Sequence, residues 1–283
     1  MFCVHISRIF RLLAVLVSIP PLFYTAASAS TVVTLITSKG IVMGADGKAV
    51  DQQFHDAGAT KKIALLKGRL IVANVGGDTF GVTGEKPMYE FVSWIGEIDK
   101  NSGPAVSVSE LAQIVRDRGP WTLPGIRSRI EDGTINADNY KLRHLTMYDI
   151  AGYENGKPML IEVSDEIDFA NRTLFPVRLE QAPQDARAQN SLSFLGEYAA
   201  ILNISKSGTY AYNEVRRRAE LQMKLFNANK AMSLNQAKDF VLALLEIEAH
   251  EQADKVGAPY TIVTLPKKGH ARALTVQYVL KKK

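Results

Sequence analysis

Two pairs of short runs, apolar on both faces, constrain this chain most. Thr31–Thr37 is dense in β-branched residues, Lys39-Gly40 supplies a turn, and Ile41–Ala45 returns. Lys62–Leu66 and Leu70–Val75 repeat the pattern around Lys67-Gly68. A strand with one wet face alternates apolar and polar residues, and these runs do not. Each hairpin therefore needs a layer on both sides.

The rest of the chain supplies such layers. Helical spacing predicts a helix over Met88–Ile98. Ser107 with Glu110 reads as a capping box opening a second helix at Leu111, Ile114 and Val115. Residues 119–139, opened by Gly119-Pro120-Trp121, read as an irregular excursion. Asn155-Gly156 marks a tight hairpin between Thr146–Gly152 and Pro158–Val163, and Ser191–Leu195 reads as a further strand. Two helices follow, over Asn213–Phe226 and from Ser233, whose cap is completed by Gln236. In the latter, Ala237, Phe240, Val241 and Leu244 form a buried stripe, and Glu246, Glu248, His250 and Glu251 read as a solvated or polar face. Tyr260–Leu265 and Ala273–Leu280 close the chain as strands. Strands, helices, strands, helices, strands, with hairpins joining neighbours, predict an α+β fold. The expected form is a four-layer αββα sandwich of two mostly antiparallel sheets.

The first 29 residues read as a processing segment. Arg8 and Arg11 form a basic start, Leu12–Ile19 a short apolar stretch, Pro20-Pro21 a break, and Ala27-Ser28-Ala29 a small-residue cleavage site. The apolar stretch is too short for a stable span. The expectation is a signal peptide over 1–29, a single domain over 30–283, a periplasmic or secreted protein, and no stable membrane anchor after cleavage. Cys3 is the only cysteine and leaves with the signal, so the mature chain needs a core that holds without disulfides. Losing Arg8 and Arg11 lowers the formal charge from +5 to +3, too little to argue for nucleic acid. Lys267-Lys268 and Lys281–Lys283 read as solvated tips.

Cleavage after Ala29 would make Ser30 the first residue. A serine hydroxyl is a weak nucleophile near neutral pH and needs a base within hydrogen-bond reach. A free α-amine, with a pKa of about 8, is such a base on the same residue. An ammonium from Lys62 would favour the deprotonated hydroxyl, and Asp46 would pair with Lys62 and hold it. Gly76 would offer a backbone N–H to the oxyanion of an acyl-transfer intermediate. Thr31 is the competing nucleophile, reached by cleavage one residue later, but a one-residue shift turns the side chain to the opposite face of the strand.

The stretch from Ser30 through Asp46-Gly-Lys-Ala resembles the start of a mature proteasome β-type subunit. It is similar also to the proteasome-like peptidase subunit of the bacterial two-component ATP-dependent protease. In that family of N-terminal nucleophile hydrolases the nucleophile opens a strand and an Asp follows 16 residues later, here Asp46. A Lys follows 32 residues after the nucleophile, here Lys62 in Thr60-Lys-Lys-Ile63, and a Gly-Gly pair closes the fourth strand, here Gly76-Gly77. Thr146–Val163 resembles the family's second-sheet hairpin. The resemblance implies the same sandwich fold, hydrolysis of amide bonds in peptides through an acyl-enzyme, and assembly into a homo-oligomeric ring.

Some supporting positions depart from the pattern. Asp254 matches an Asp that supports the nucleophile, but the residue three positions on is Gly257, where the family has a serine. The family's Ser-Gly segment has two imperfect matches, Leu195-Gly196 and Ser207-Gly208. The Asp254 departure leaves open a catalytically silent, proteasome-like binding or assembly protein, and the same residues would also serve an acylase-like amidase on small amides. His55, His144, His250 and His270 are scattered without metal spacing. No phosphate-binding loop, dinucleotide fingerprint or G-x-S-x-G elbow is present. No cofactor and no metal are therefore expected.

Overall fold

The computed structural model describes residues 23–28, 30–50, 56–82, 86–138, 144–175, 177–181 and 189–276. The first strands are β1 (Phe23–Ser28), β2 (Thr31–Thr37), β3 (Gly40–Asp46), β4 (Lys48–Val50), β5 (Asp56–Ala59), β6 (Ile63–Leu66), β7 (Leu70–Val82) and β8 (Tyr89–Glu90). Helices α1 (Phe91–Asn101), α2 (Val108–Arg118) and α3 (Pro124–Glu131) follow. Next come β9 (Thr146–Glu154), β10 (Lys157–Ser164), β11 (Ile167–Asp168), β12 (Thr173–Leu174), β13 (Arg178–Gln181) and β14 (Asn190–Gly196). The chain continues through α4 (Tyr210–Asn227), α5 (Leu234–Glu251), β15 (Tyr260–Pro266) and β16 (Arg272–Val276).

Among the described residues this is a mixed α and β fold with antiparallel sheets. One sheet runs β14-β2-β3-β15-β16. A second runs β1-β7-β9-β10-β13, with β6 and β8 also paired to β7, and two two-stranded sheets, β4-β5 and β11-β12, complete the set among the described residues. The side chains of β2 explain its lack of alternation. Val32 and Ile36 point into a cluster with Ile41 and Met43 of their own sheet and Ile71, Ala73 and Val75 of the other. Val33 and Leu35 point the opposite way, into a cluster with Val215 of α4 and Phe240, Val241 and Leu244 of α5. A third cluster packs Phe91, Ile95, Leu111, Val115 and Ile126 of α1–α3 against Val72, Tyr148 and Ile150. Each fully buried Val, Leu, Ile, Phe or Met side chain among them contributes about 1.5–3 kcal/mol.

Several expectations change in detail. The first helix starts at Phe91, not Met88, because the Glu90 carboxylate accepts from the amides of Val92 and Ser93, and Tyr89–Glu90 pairs with β7. Both predicted capping boxes, Ser107/Glu110 and Ser233/Gln236, are formed. The excursion after Gly119 is ordered: Pro120–Thr122 is a short 3-10 turn and α3 follows, with Ile126 and Ile130 buried. Glu248 is not on a solvated face. It is buried, and its Oε2 accepts from the amides of Ala200 (3.1 Å) and Ile201 (3.0 Å).

Phe23–Ser28, read from sequence as lying outside the fold, pairs antiparallel with the second half of β7, with Ala27 opposite Gly77 and Ser28 opposite Gly76. Cys3, Arg8, Arg11, Leu12–Ile19, Pro20-Pro21, Ala29, His55, residues 277–280 of the last predicted strand and Lys281–Lys283 lie outside the described residues.

Candidate active site

Asp46 ends β3, and Lys62 immediately precedes β6 in the opposite sheet. Both are buried, and the Lys62 ammonium donates to both carboxylate oxygens of Asp46 at 3.1 Å. It also donates to the backbone carbonyl of Lys48 at 2.7 Å. Main-chain amides surround the carboxylate: Thr31 donates at 2.8 Å, Lys48 at 3.3 Å and Gly257 at 3.3 Å. The Asp46 carboxyl is pushed above the usual carboxylate range by burial, against the pull of the Lys62 charge and the amides of Thr31 and Gly257.

Ser30 is fully buried at the head of β2. Its carbonyl accepts from the Glu197 amide at 2.8 Å. Its neighbour Thr31 donates its amide to Asp46 and its hydroxyl to the Glu197 carbonyl, so the Thr31 side chain is committed to the β14 side. Along β2, Thr31, Val33 and Leu35 share one face, and Val32, Thr34 and Ile36 share the face turned to the second sheet. Ser30 has the second parity, the side on which β7 lies. The approach is tight. A Cβ on Gly196 would lie 1.9 Å from the Ser30 carbonyl oxygen and 2.8 Å from a methyl of Val75.

Gly76 follows Val75 with φ +99°, a conformation open to glycine and strained for other residues. A Cβ there would sit 2.8 Å from the Leu145 carbonyl oxygen. The structure thus brings Asp46 and Lys62 to the main chain next to Ser30, with Val75, the residue before Gly76, beside the Gly196–Ser30 contact. Asp254 is placed differently. It is exposed, and its main-chain carbonyl, not its carboxylate, meets the site by accepting from Lys48 Nζ at 3.0 Å.

Two contributors escaped the sequence reading because they act through the main chain. Gly257 donates its amide to Asp46, and its carbonyl accepts from the amides of Gly47 and Lys48 at 3.2 Å. Lys48 gives its carbonyl to Lys62 and its amide to Asp46. Beside them, a cavity of about 460 Å³ is lined by Lys48, Ala59, Ala253, Val256 and Gly257. Among the described residues no group of three His, Cys, Asp or Glu side chains is placed to hold a metal ion. No helix among them is long and apolar enough to cross a membrane.

Comparison with solved structures gives a TM-score of 0.51 to Anbu (ancestral beta-subunit) from Yersinia bercovieri, at 14% identity over 87% of this chain and 86% of that one. The two share a fold. An Anbu Gly-1 mutant from Hyphomicrobium sp. strain MC1 matches at 16% identity over 88% of each chain, with a TM-score of 0.48. No family model matches the sequence, and no curated protein matches it. These findings correct the family assignment drawn from sequence motifs. Membership among proteasome β-type subunits is not what they support. They support a distant likeness to Anbu, at an identity that speaks for the fold alone.

Proposed function

We propose that this protein is an exported amide hydrolase whose nucleophile is Ser30, exposed by cleavage after Ala29. The observation that carries this reading is the buried Asp46–Lys62 pair, fixed to the amide of the residue that follows Ser30. A buried ion pair is a poor way to gain stability, so its cost is better explained by chemistry at the neighbouring residue. In this reading the three core clusters separate four layers, αββα, around a single domain over 30–283.

The proposed reaction uses groups already in place. The freed α-amine of Ser30 takes the hydroxyl proton as the oxygen attacks the substrate carbonyl carbon. The Lys62 ammonium favours the charged nucleophile, and the Gly76 amide donates to the oxyanion. The C–N bond then breaks, the amine leaves with the proton, and an ester to Ser30 remains. Water resolves the ester by the same steps in reverse.

The pairing of β1 with β7 favours peptides over small amides. Phe23–Ser28 occupies the edge of β7 as an extended strand, and an extended peptide adds to a sheet edge by the same main-chain bonds. The test is N-terminal sequencing and intact mass of the exported protein, followed by labelling with an electrophilic peptide analogue. Ser30 as the first residue, with labelling and hydrolysis lost in Ser30→Ala, is the expected result. A Ser30→Ala protein with full activity, or a mature chain beginning elsewhere, refutes the reading. Labelling that small amides suppress and peptides do not would move the substrate class to small amides.

A further inference from the structure

The Gly76 corner is held from outside the site. Gly77 donates its amide to the Leu145 carbonyl at 2.7 Å. The Leu145 and Thr146 amides both donate to one carboxylate, that of Asp165, at 3.0 Å and 3.2 Å. Asp165 is buried just beyond β10, and its main-chain carbonyl is bonded to Nδ1 of His144. Thr146 then reaches back to β7. Its hydroxyl donates to Asn74 Oδ1 and lies 3.2 Å from the Val75 carbonyl. Asn74, also buried, directs its amide nitrogen to the Gly77 carbonyl at 3.4 Å.

A chain of bonds thus runs from the Asp165 carboxylate, through the 145–146 main chain, to both sides of Gly76. Hydrophobic packing alone would hold β9 against β7 but would not fix the rotation of the peptide planes at the corner. A carboxylate accepting two successive amides does fix it, because both bonds share one rigid plane. The Leu145 carbonyl is the pivot: it accepts from Gly77 and leaves no room for a side chain on Gly76.

We propose that Asp165, acting through Leu145 and Thr146, is a positioning residue that aims the Gly76 amide at the oxyanion. This rests on the reading of Ser30 as nucleophile and Gly76 as oxyanion donor. A donor aimed at the transition state changes kcat, while ground-state binding and KM stay the same.

The test uses the mature protein with Ser30 at its N-terminus and a set of peptide anilides. Asp165→Asn keeps one acceptor but turns an NH₂ toward the second amide. It should lower kcat about 10- to 100-fold with KM within about twofold, less than the loss of a whole oxyanion donor. A peptide aldehyde, which becomes tetrahedral on Ser30, should weaken in step with kcat, while an uncleavable peptide binds as before. Thr146→Val should give the same kcat-only loss and Thr146→Ser should recover most of it, so the test survives if Asp165→Asn fails to fold. Unchanged kcat in Asp165→Asn and Thr146→Val, or a loss confined to KM, overturns the positioning role and leaves the Ser30 reading intact. Parent protein without Ser30-dependent turnover overturns both.

Discussion

Replacing one member of the Asp46–Lys62 pair should cost far more than replacing both. In Asp46→Asn the side chain keeps one oxygen, but its NH₂ must face either the Lys62 ammonium or one of the amides of Thr31, Lys48 and Gly257, all donors. Lys62 is then left buried without the Asp46 carboxylate that balances its charge. Breaking a buried pair in this way costs about 3–5 kcal/mol. At about 2–4 °C per kcal/mol for a chain of this size, the midpoint of thermal unfolding should fall by roughly 10 °C. Lys62→Met removes the ammonium and strands the carboxylate, which burial already pushes toward protonation. That variant regains stability in acid, where Asp46 takes up a proton and the unpaired charge disappears. The double variant Asp46→Asn/Lys62→Met holds no buried charge, so its loss should be smaller than the sum of the single losses by about 2 kcal/mol or more. All three variants should lack turnover, which separates the chemical role of the pair from its structural one. Urea and thermal unfolding of the four proteins, with hydrolysis measured in parallel, provide the assay. Single variants within about 1 kcal/mol of the parent and additive in the double would refute the reasoning.

Three further outcomes follow from the buried groups. Asp149 lies between the sheets, accepts from Thr34 Oγ1 at 3.3 Å, and is raised from 3.8 to about 7 by burial and by the nearby Glu162 charge. The folded state therefore prefers the protonated acid. Its contribution is complete below about pH 4 and is lost as pH rises through 7, roughly 4 kcal/mol for about three pH units. Asp149→Asn should match the parent near pH 4 and exceed it by up to that amount at pH 8, read as the difference between urea midpoints. Glu248→Gln should stay within about 1 kcal/mol of the parent, whereas Glu248→Ala strands the amides of Ala200 and Ile201 and should cost about 3 kcal/mol in thermal unfolding. Gly196→Ala places a methyl carbon 1.9 Å from the Ser30 carbonyl at φ +85°, so labelling of Ser30 should fall at least tenfold even where the protein stays folded.

What the sequence made legible, and what it hid, follows from how each part of the site is encoded. The intervals from Ser30 to Asp46 and Lys62 match those of the proteasome-like pattern, so a residue count set against that resemblance could bring them together before any coordinates. The same count could not find Lys48 or Gly257, because a carbonyl or amide is common to nearly every residue and leaves no mark on composition. Gly257 shows the consequence. Read as a missing hydroxyl, it is in the structure a main-chain donor to Asp46, and the neighbouring Asp254 contributes its carbonyl instead of its acid. Glu248 continues the helical interval 237, 241, 244, 248 of the buried stripe, a period that its charge masks. Asn74 carried a similar signal, the one amide side chain in the apolar run Leu70–Val75. Asp165 carried none, since a loop acid beyond a strand is ordinary until the strand brings it under two specific amides. The Asp46–Lys62 pair and its intervals from Ser30 are thus legible through the resemblance to the proteasome-like pattern. The groups that brace the Gly76 corner, Asp165, Thr146 and Asn74, become visible only through the antiparallel register of β7 and β9, where Val75 faces Met147 and Gly76 faces Thr146.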